Sequence, residues 1–261
     1  MKKTLFVFAA LFMSIASVLG QTNKVFDSGE FFKFKISYGI INAGVATLEL
    51  RDAVVNGKPM YHAKGHGYTT GATKFFFKVE DDYQSYFEKA QVKPHRFIRK
   101  IDEGGYTKDQ EGFFDYKALT VKVKDYEKDK ETTYPIQNNV QDIVSSFYYL
   151  RKHPKINELK KGESIEIDMF FDGETSKFKL KYLGNEMMKT KFGTLETMMF
   201  RPYVQAGRVF KAKESLTVWV TADENKIPLR IRASLMVGSL KAELVEYKGL
   251  VNTIKTVEDG K

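Results

Sequence analysis

The sequence contains no cysteine, one tryptophan and only six prolines among 261 residues. Without cysteine the chain cannot form a disulfide, carry a thioether-linked lipid anchor or use a thiolate as a nucleophile. Low-complexity linkers and internal repeats are also missing, and no second long apolar run follows the first twenty residues. Stability must therefore come from buried side chains, and 21 phenylalanines and 14 tyrosines supply enough aromatic surface for a sizeable core.

The first twenty residues have the pattern of a cleavable signal peptide. Lys2 and Lys3 precede an apolar run over residues 5–19, and small or β-branched residues lead up to Gln21. The run is shorter than the roughly 20 residues that span a bilayer, so cleavage is favoured over retention as a membrane anchor. We expect a signal peptide over residues 1–20 and a mature chain over residues 21–261. That chain would have no stable transmembrane anchor and would be located in the periplasm or secreted.

The charge of the chain is mildly basic and evenly mixed. The formal net charge of +9 falls to +7 when Lys2 and Lys3 leave with the signal peptide, and 33 carboxylates lie among the bases. In the expected compartment such a surface would meet lipid, glycolipid or anionic glycan, and we expect no nucleic acid partner because no nucleic-acid-binding motif is visible. The alternative is a solvated basic surface that has no specific partner.

Apolar and polar side chains alternate along most of the chain, which is typical of half-buried strands. In residues 32–38 the aromatic and aliphatic side chains fall on one face, while Lys33, Lys35 and Ser37 fall on the other. About a dozen such segments follow each other across short turns such as Gly104-Gly105. The pattern predicts a mainly β fold in one domain over residues 21–261, a large antiparallel meander that forms a curved sheet or open barrel. The predicted strands are 32–38, 45–50, 60–68, 79–88, 96–102, 106–116, 119–126, 164–171, 177–183, 187–192, 195–201, 214–221, 227–237 and 239–247.

One segment has helical spacing instead. Apolar residues recur three and four apart from Val140 to Leu150, with Asn139 as a suitable N-cap and Arg151 placed to interact with the dipole of the last turn. We predict one principal α-helix near residues 140–152. We expect its apolar stripe to cover the mouth or the open side of the curved sheet, where Phe147 either fills the core or bounds an apolar cavity that holds a ligand.

Three stretches of the chain together resemble a known family. They are residues 29–39 with 43–46, residues 142–151, and residues 216–230. In order and spacing they are similar to the exported bacterial family called domain of unknown function 3108. The resemblance implies an exported antiparallel β-protein of open or closed barrel character, and it brings no established activity or catalytic residues. The composition and leader of the chain are similar to those of secreted Bacteroidetes proteins.

The two central histidines share one strand face. His62 and His66 fall on the polar side of the predicted strand 60–68. They would be about 13 Å apart at roughly 3.3 Å per residue, so both cannot bind one zinc ion. They either lie outside the sheet or, if this strand lines a cavity, become hydrogen-bonding or acid/base residues. We expect no metal and no cofactor.

The sequence gives little support for a hydrolytic active site. The chain has no Gly-x-Ser-x-Gly elbow, and the Ser145-Ser146 pair is expected on the helix surface. The acidic pairs Asp81-Asp82 and Asp102-Glu103 are adjacent in strands or turns, so their carboxylates point to opposite faces and cannot flank one glycosidic bond. Lyase chemistry is less constrained, because it needs only a cation and a tyrosine or histidine base.

The segment over residues 200–211 interrupts the strand pattern with Pro202 and Gly207, and it keeps two arginines beside several aromatic and aliphatic residues. This composition is typical of a binding loop, and the alternative is a connecting loop with solvated arginines. Together with residues suited to bind an anion or an amphiphile elsewhere, it completes the candidate ligand-binding residues. They are Tyr38, His62, His66, Arg99, Phe147, Arg201, Tyr203 and Arg208.

Three functions remain open at this point. The leading hypothesis is a non-catalytic exported envelope protein that binds a hydrophobic or amphiphilic ligand, a lipid or glycolipid, in a curved β-sheet. The alternative is a lyase-like enzyme or a binder that acts on anionic extracellular polysaccharide. The third is an envelope scaffold that has no small ligand.

Overall fold

The computed structural model describes residues 24–204 and 216–257. These residues form fifteen strands, two α-helices and one 3-10 turn at Pro154–Asn157. The helices are α1 (Thr73–Phe76) and α2 (Ile143–Arg151). The strands are β1 (Phe31–Tyr38), β2 (Ile41–Val55), β3 (Lys58–Thr69), β4 (Glu80–Glu88), β5 (Pro94–Glu103), β6 (Tyr106–Asp115), β7 (Thr120–Asp125), β8 (Lys130–Pro135), β9 (Ser164–Phe171), β10 (Glu174–Thr190), β11 (Gly193–Val204), β12 (Leu216–Thr221), β13 (Pro228–Ser234), β14 (Ser239–Lys248) and β15 (Thr256–Val257).

All of these strands belong to one antiparallel sheet. Its order runs from β8 back to β1, then through β14 to β9, and β15 adds to β11. The pairing of β1 with β14 joins the two halves of the meander, with Phe34 opposite Leu244. The edge strands β8 and β9 do not pair, yet Tyr134 on β8 lies 5.7 Å from Phe170 on β9 between ring centroids. The sheet is therefore an open barrel, and the predicted mainly β antiparallel architecture with one principal helix is confirmed.

The strand limits show where sequence alternation was and was not sufficient. The predicted turn at Gly104-Gly105 is present, and both glycines have positive φ, 56° and 92°. Two predicted strands, 177–183 and 187–192, form the single strand β10, because a bulge near Gly184 shifts the register without breaking the pairing. Strand β11 continues through Pro202 to Val204, so the expected interruption at residues 200–204 is wrong. The rest of that loop lies outside the described residues.

The helix begins three residues later than expected. Asp142, not Asn139, is the N-cap: its Oδ1 accepts hydrogen bonds from the backbone N–H groups of Val144 and Ser145. The Ser145 hydroxyl accepts the backbone N–H of Asp142 in return, completing a capping box. Gln141 cannot join the helix because its backbone bridges to β9 at Met169. Ser145 and Ser146 are buried, so their predicted position on the helix surface is wrong.

The helix lies on the concave face of the sheet, against β3, β4 and β9. Tyr148 is fully buried among Phe26 and Phe87, and Phe147 packs between this cluster and a second one around Phe32. Arg151, predicted to interact with the helix dipole, is instead buried and forms a bidentate ion pair with Glu30 at 2.6 and 2.8 Å. The helix thus covers the sheet, as predicted, and it does so from inside the barrel.

Antiparallel pairing places alternate turns at the same end of the barrel. The end that holds the β1–β2, β3–β4, β5–β6, β7–β8, β9–β10 and β13–β14 connections is called the upper rim below. Hydrogen bonds connect neighbouring turns along it: Tyr38 Oη donates to the carbonyl of Val237 at 2.7 Å, and the backbone N–H of Gly104 donates to the carbonyl of Lys78 at 2.8 Å.

Candidate functional site

A cavity of about 400 Å3 opens inside the barrel between the N-terminal end of α2 and the upper rim. Its wall is the concave face of strands β4 to β8, closed on the far side by the end of β9. Inward-facing positions of these strands supply the side chains, since alternate residues of a strand point to the same face. The lining residues include Tyr83, Phe97, Arg99, Lys108, Val123, Asp142, Val144, Phe170, Phe171 and Asp172.

Two cations lie in the cavity and share one carboxylate. Arg99 Nη1 donates to Asp172 Oδ1 at 2.5 Å, and Lys108 Nζ lies 2.6 Å from the same oxygen. The side chains of Arg99 and Lys108 are only 10% and 16% exposed. Arg99 Nε is buried and has no hydrogen-bond partner in the described part of the chain. This end of the cavity therefore holds two nearly buried cations that share the carboxylate of Asp172.

The shared carboxylate is held ionised. Burial by itself would raise the pKa of Asp172, but hydrogen bonds from Lys108 and Arg99 outweigh it and keep that pKa below its ordinary value. Two further bases are exposed at the mouth of the cavity, Lys128 on the β7–β8 turn and Lys130 at the start of β8. An anion entering from the upper rim would meet these bases before it reaches Arg99 and Lys108.

The remaining walls are aromatic and aliphatic. Phe97, Val123 and Phe170 belong to one core cluster and also line the cavity. The Phe97 ring can lie flat on β6 because the neighbouring residue is Gly112, where a Cβ would overlap the ring. The Arg99 guanidinium is stacked over the Phe171 ring, with 4.3 Å between its carbon and the ring centroid. The site is thus amphiphilic, cationic toward the rim and apolar toward the core.

The floor of the cavity is the N-terminus of α2. Asp142, buried there, accepts a hydrogen bond from the Ser85 hydroxyl at 2.6 Å in addition to its capping contacts. Burial raises the pKa of Asp142 to about 6, although these hydrogen bonds act in the opposite direction. Because its oxygens already accept from Val144, Ser145 and Ser85, this carboxylate serves the fold of the floor.

A carboxyl pair lies near the rim on the same face as Arg99. Asp81 on β4 and Glu103 on β5 are hydrogen bonded across neighbouring strands, and burial followed by this contact raises the pKa of Asp81 to about 7. The sequence argument that excluded paired carboxylates considered only adjacent residues. It missed this cross-strand pair, which is visible only once the register of β4 and β5 is known.

Of the predicted ligand-binding residues that the structure describes, Arg99 lies in the cavity and the others lie elsewhere. Phe147 fills the core between two clusters and does not line the cavity, so the structure matches its interpretation as a core residue. Tyr38 lies on the upper rim, hydrogen bonded to the β13–β14 turn.

The two histidines lie on the outer face of β3, because Tyr61 and Ala63 on the same strand face the core. His62 Nε2 is 2.8 Å from Gln84 Oε1, and its ring stacks on Tyr86 with centroids 4.2 Å apart. Burial by these neighbours lowers the pKa of His62. His66 Nε2 lies 3.3 Å from Glu80. Of the two alternatives for these residues, the structure supports the location outside the sheet.

Arg201 and Tyr203 are also on the outer face. They stand opposite Lys181 and Lys179 on β10, on the side of β11 away from the buried Phe200. Arg208 lies outside the described residues. Arg99, the histidines and the two β11 residues therefore do not form one site.

Sequence reasoning missed Lys108 and Asp172. A signal for an inward-facing cation was present in β5, where Arg99 is in phase with the core residues Phe97 and Ile101. Asp172 carried no such signal, because it occupies a turn with φ of 50° and reaches the cavity only when the edges of the sheet come together. Arg99 and Asp172 are 73 residues apart in the sequence, so the local alternation of polar and apolar residues does not reveal that they pair.

Among residues 24–204 and 216–257, no group of three or more His, Asp or Glu side chains is arranged to hold a metal ion. Within those same residues, no helix has the length and apolar character needed to cross a membrane.

Comparison with known proteins gives a family and a fold. A crystal structure of a β-barrel-like protein of domain of unknown function DUF1849 from Brucella abortus is similar, with a TM-score of 0.54 at 10% identity over 85% of this chain and 98% of that one. A DUF1089 family protein from Pseudomonas aeruginosa has a TM-score of 0.38 at 11% identity over 74% and 90%. No curated protein matches the sequence significantly. The family model for the protein of unknown function DUF3108 matches residues 33–245, and the chain belongs to that family.

Proposed function

We propose that this protein binds an anionic amphiphile in the cavity of the open barrel. The observation that carries the proposal is the pair of nearly buried cations, Arg99 and Lys108, which lie at the open end of an aromatic-walled cavity and share the carboxylate of Asp172. A carboxylate or phosphate head group would contact Arg99 and Lys108, and the apolar part would lie against Phe97 and Phe170. A volume of about 400 Å3 is within the usual range for a small-molecule site.

The competition with Asp172 defines how the ligand would bind. A bound head group would compete with Asp172 for the N–H donors of Arg99 and Lys108. Charge-assisted hydrogen bonds of this kind are strong in a site that excludes water. A neutral amphiphile of the same shape would gain only the apolar contacts, so the site should select for negative charge.

Isothermal titration with oleate and with monoolein tests this selectivity. We expect oleate to bind and monoolein to bind more weakly, and Arg99→Gln to lower the affinity for oleate by about tenfold or more, since a charged hydrogen bond is lost. The matched control is Lys100→Gln, one residue along β5 but on the outer face in an ion pair with Asp109 at 3.1 Å. Equal losses in the two variants, or no binding of oleate by the unmodified protein, would overturn the proposal.

Export to the cell envelope is part of the proposal and is supported by the sequence of residues 1–20. In that compartment lipids and glycolipids with acidic head groups are available to the cavity. N-terminal sequencing of the protein recovered from fractionated cells should find Gln21 as the first residue. Recovery of chains that begin at Met1 in the cytoplasmic fraction would contradict this part.

The lyase-like alternative has weaker support. Arg99 and Tyr83 do lie together, 5.6 Å from guanidinium carbon to ring centroid, which is the pairing of cation and tyrosine that such chemistry uses. However, burial raises the pKa of Tyr83, which opposes its action as a base near neutral pH. A panel of anionic polysaccharides assayed for unsaturated uronate absorbance would detect the activity, and a signal lost in Tyr83→Phe would favour the enzyme.

A further inference from the structure

An arc of exposed apolar side chains occupies half of the upper rim. Ile40 on the β1–β2 turn is 103% exposed, Met236 on the β13–β14 turn is 104% exposed, and Phe75 and Phe76 on α1 are 91% and 89% exposed. Such values are unusual for large apolar residues, and several together on one surface indicate an interaction site. We call the three connections that carry them, residues 36–44, 70–78 and 232–241, the apolar arc.

The apolar arc is one continuous surface. Its three turns connect six strands that are neighbours in the sheet, from β4 through β1 to β13. Tyr38 Oη donates to the carbonyl of Val237, and Thr73 Oγ1 is 3.5 Å from the carbonyl of Asn42. The helix α1 is fixed on its other side, where the Phe77 ring packs against Gly104. The exposed side chains therefore project from a connected base.

The charge of the apolar arc has one sign. Residues 36–44, 70–78 and 232–241 contain no aspartate or glutamate, whereas they contain Lys74, Lys78, Arg232 and Lys241. Lys78 and Lys241 pair with carboxylates that belong to neighbouring segments, Asp102 at 2.5 Å and Glu243 at 2.8 Å. The exposed tips are thus apolar, and the segments that carry them contain bases and no acidic residue of their own.

We infer that the apolar arc docks onto the surface of a lipid bilayer that contains anionic lipids. The four most exposed side chains stand on three separate connections. A fluid bilayer accepts such separate projections, whereas a folded protein would need a matching pocket for each. A bilayer also offers acyl chains, which would accept the apolar side chains, and anionic head groups, which would attract the bases. Docking would turn the mouth of the cavity, which lies on the same rim, toward the membrane. The inference concerns the outer surface and does not depend on what the cavity binds.

Flotation with lipid vesicles tests the inference. The purified protein is mixed with vesicles of phosphatidylglycerol or of phosphatidylcholine and centrifuged through a density gradient. We expect binding to phosphatidylglycerol vesicles that weakens in high salt, and weaker binding to phosphatidylcholine. The variant Ile40→Ser/Met236→Ser should lower the vesicle partition coefficient by about tenfold or more, because two exposed apolar side chains no longer enter the interface.

The matched control replaces two exposed apolar residues at the opposite end of the barrel. Val54 precedes the β2–β3 turn and Leu119 lies on the β6–β7 turn, and Val54→Ser/Leu119→Ser should leave flotation unchanged. All four substitutions are at exposed positions, so circular dichroism melting curves should confirm that both variants fold. Equal effects in the two double variants, or no flotation of the unmodified protein with phosphatidylglycerol vesicles, would overturn the inference.

Two further outcomes separate the inference from its competitors. Arg99→Gln should weaken oleate binding and leave flotation unchanged, so failure of the cavity proposal and failure of the membrane proposal give different results. If sedimentation shows an oligomer that Ile40→Ser/Met236→Ser converts to a monomer while flotation does not change, the apolar arc is a contact between copies of the chain and the membrane inference is wrong.

Discussion

The buried ion pair between Glu30 and Arg151 connects the helix to the sheet in the core of the protein. Both side chains are fully enclosed, and the arginine also donates from Nε to the carbonyl of Asn225 at 2.9 Å. Its guanidinium carbon lies 5.1 to 5.6 Å from the ring centroids of four aromatic residues, Phe26, Phe32, Phe147 and Tyr148. Glu30 precedes β1 and Arg151 ends α2, so the pair fixes the helix inside the sheet.

Removing one partner of this pair should be costly. Glu30→Leu leaves a buried guanidinium without its counterion, and we expect the free energy of unfolding to fall by about 3 to 5 kcal/mol. The double variant Glu30→Leu/Arg151→Leu should lose less than the sum of the two single variants. Urea denaturation measures all three, and Glu131→Gln, which breaks the exposed pair with Lys122, should cost less than about 1 kcal/mol. Simple additivity of the two single losses would contradict the coupling.

The pair of Asp81 and Glu103 predicts a pH dependence of stability. The pKa of Asp81 is raised from 3.8 to about 7, so the folded protein holds a proton that the unfolded chain releases between these values. The contribution of protonated Asp81 to the free energy of unfolding is therefore complete below about pH 4 and is lost as the pH rises to about 7. Asp81→Asn removes this loss, and we expect the variant to be about 1 to 2 kcal/mol more stable than the unmodified protein at pH 8, allowing for solvent screening.

Urea denaturation at pH 4 and pH 8 distinguishes this effect from a change in packing. The gain should be present at pH 8 and absent at pH 4. The control Asp82→Asn alters the neighbouring outer-face residue, which pairs with Lys64 at 2.7 Å, and should keep the decline of stability between these pH values. An equal gain in Asp81→Asn at both pH values would show that charge at this position is not the cause.

At the scale of single elements, alternation of polar and apolar residues was sufficient for most strands. Strand β9 matches its predicted range, residues 164–171, because its inward residues Ile165 and Ile167 alternate with Glu166 and Asp168. Strand β8, with the sequence KETTYP, was missed because only Tyr134 marks its inner face. The start of α2 was misplaced since the apolar Val140 is in phase with the helix but is packed against Phe170 in a different cluster.

The site was less predictable than the sheet for a physical reason. Arg99 is recognisable because β5 alone shows that it faces inward with Phe97. The contacts that make it a candidate binding residue come from β6 and from the β9–β10 turn, so they depend on the curvature of the sheet. Curvature is set by bulges and by the packing of α2, neither of which changes the period of two in the sequence.

Gly112 on β6 provides a test of the packing of one wall of the cavity. A Cβ at this position would overlap the ring of Phe97, so Gly112→Ala must push that ring into the cavity or away from Phe114. We expect the free energy of unfolding to fall by about 1 to 3 kcal/mol and oleate binding to weaken. Gly67→Ala on β3 is the matched control, because a Cβ there has no neighbour within 4 Å and should change neither quantity appreciably. If both alanine variants behave alike, strand propensity rather than the Phe97 contact would be responsible.

At the scale of the whole molecule, the open barrel has two edges that need to be held together. Strands β8 and β9 do not pair, and the contacts between the two edges include the Gln141–Met169 bridge, the Tyr134–Phe170 ring contact and the ion pairs of Asp172. Asp172 differs from the other two because it lies at the mouth of the cavity. The side chain of Asp172 thus connects the β9–β10 turn to β5 and β6. It also forms ion pairs with Arg99 and Lys108, the cations that an anionic ligand would need.

This double role predicts that Asp172→Asn changes stability and binding in opposite directions. Since ion pairing holds the pKa of Asp172 below its ordinary value, the ionised carboxylate stabilises the fold above that ordinary value, and the contribution is lost as the pH falls through the folded-state pKa. At pH 7 we expect Asp172→Asn to be about 1 to 2 kcal/mol less stable, with the difference vanishing in acid. The same change releases Arg99 and Lys108 from their counterion, so the affinity for oleate should rise severalfold. Asp109→Asn, which breaks only the outer-face contact to Lys100, should do neither. If Asp172→Asn lowers both stability and oleate affinity, Asp172 maintains the shape of the cavity and does not compete with the ligand for its cations.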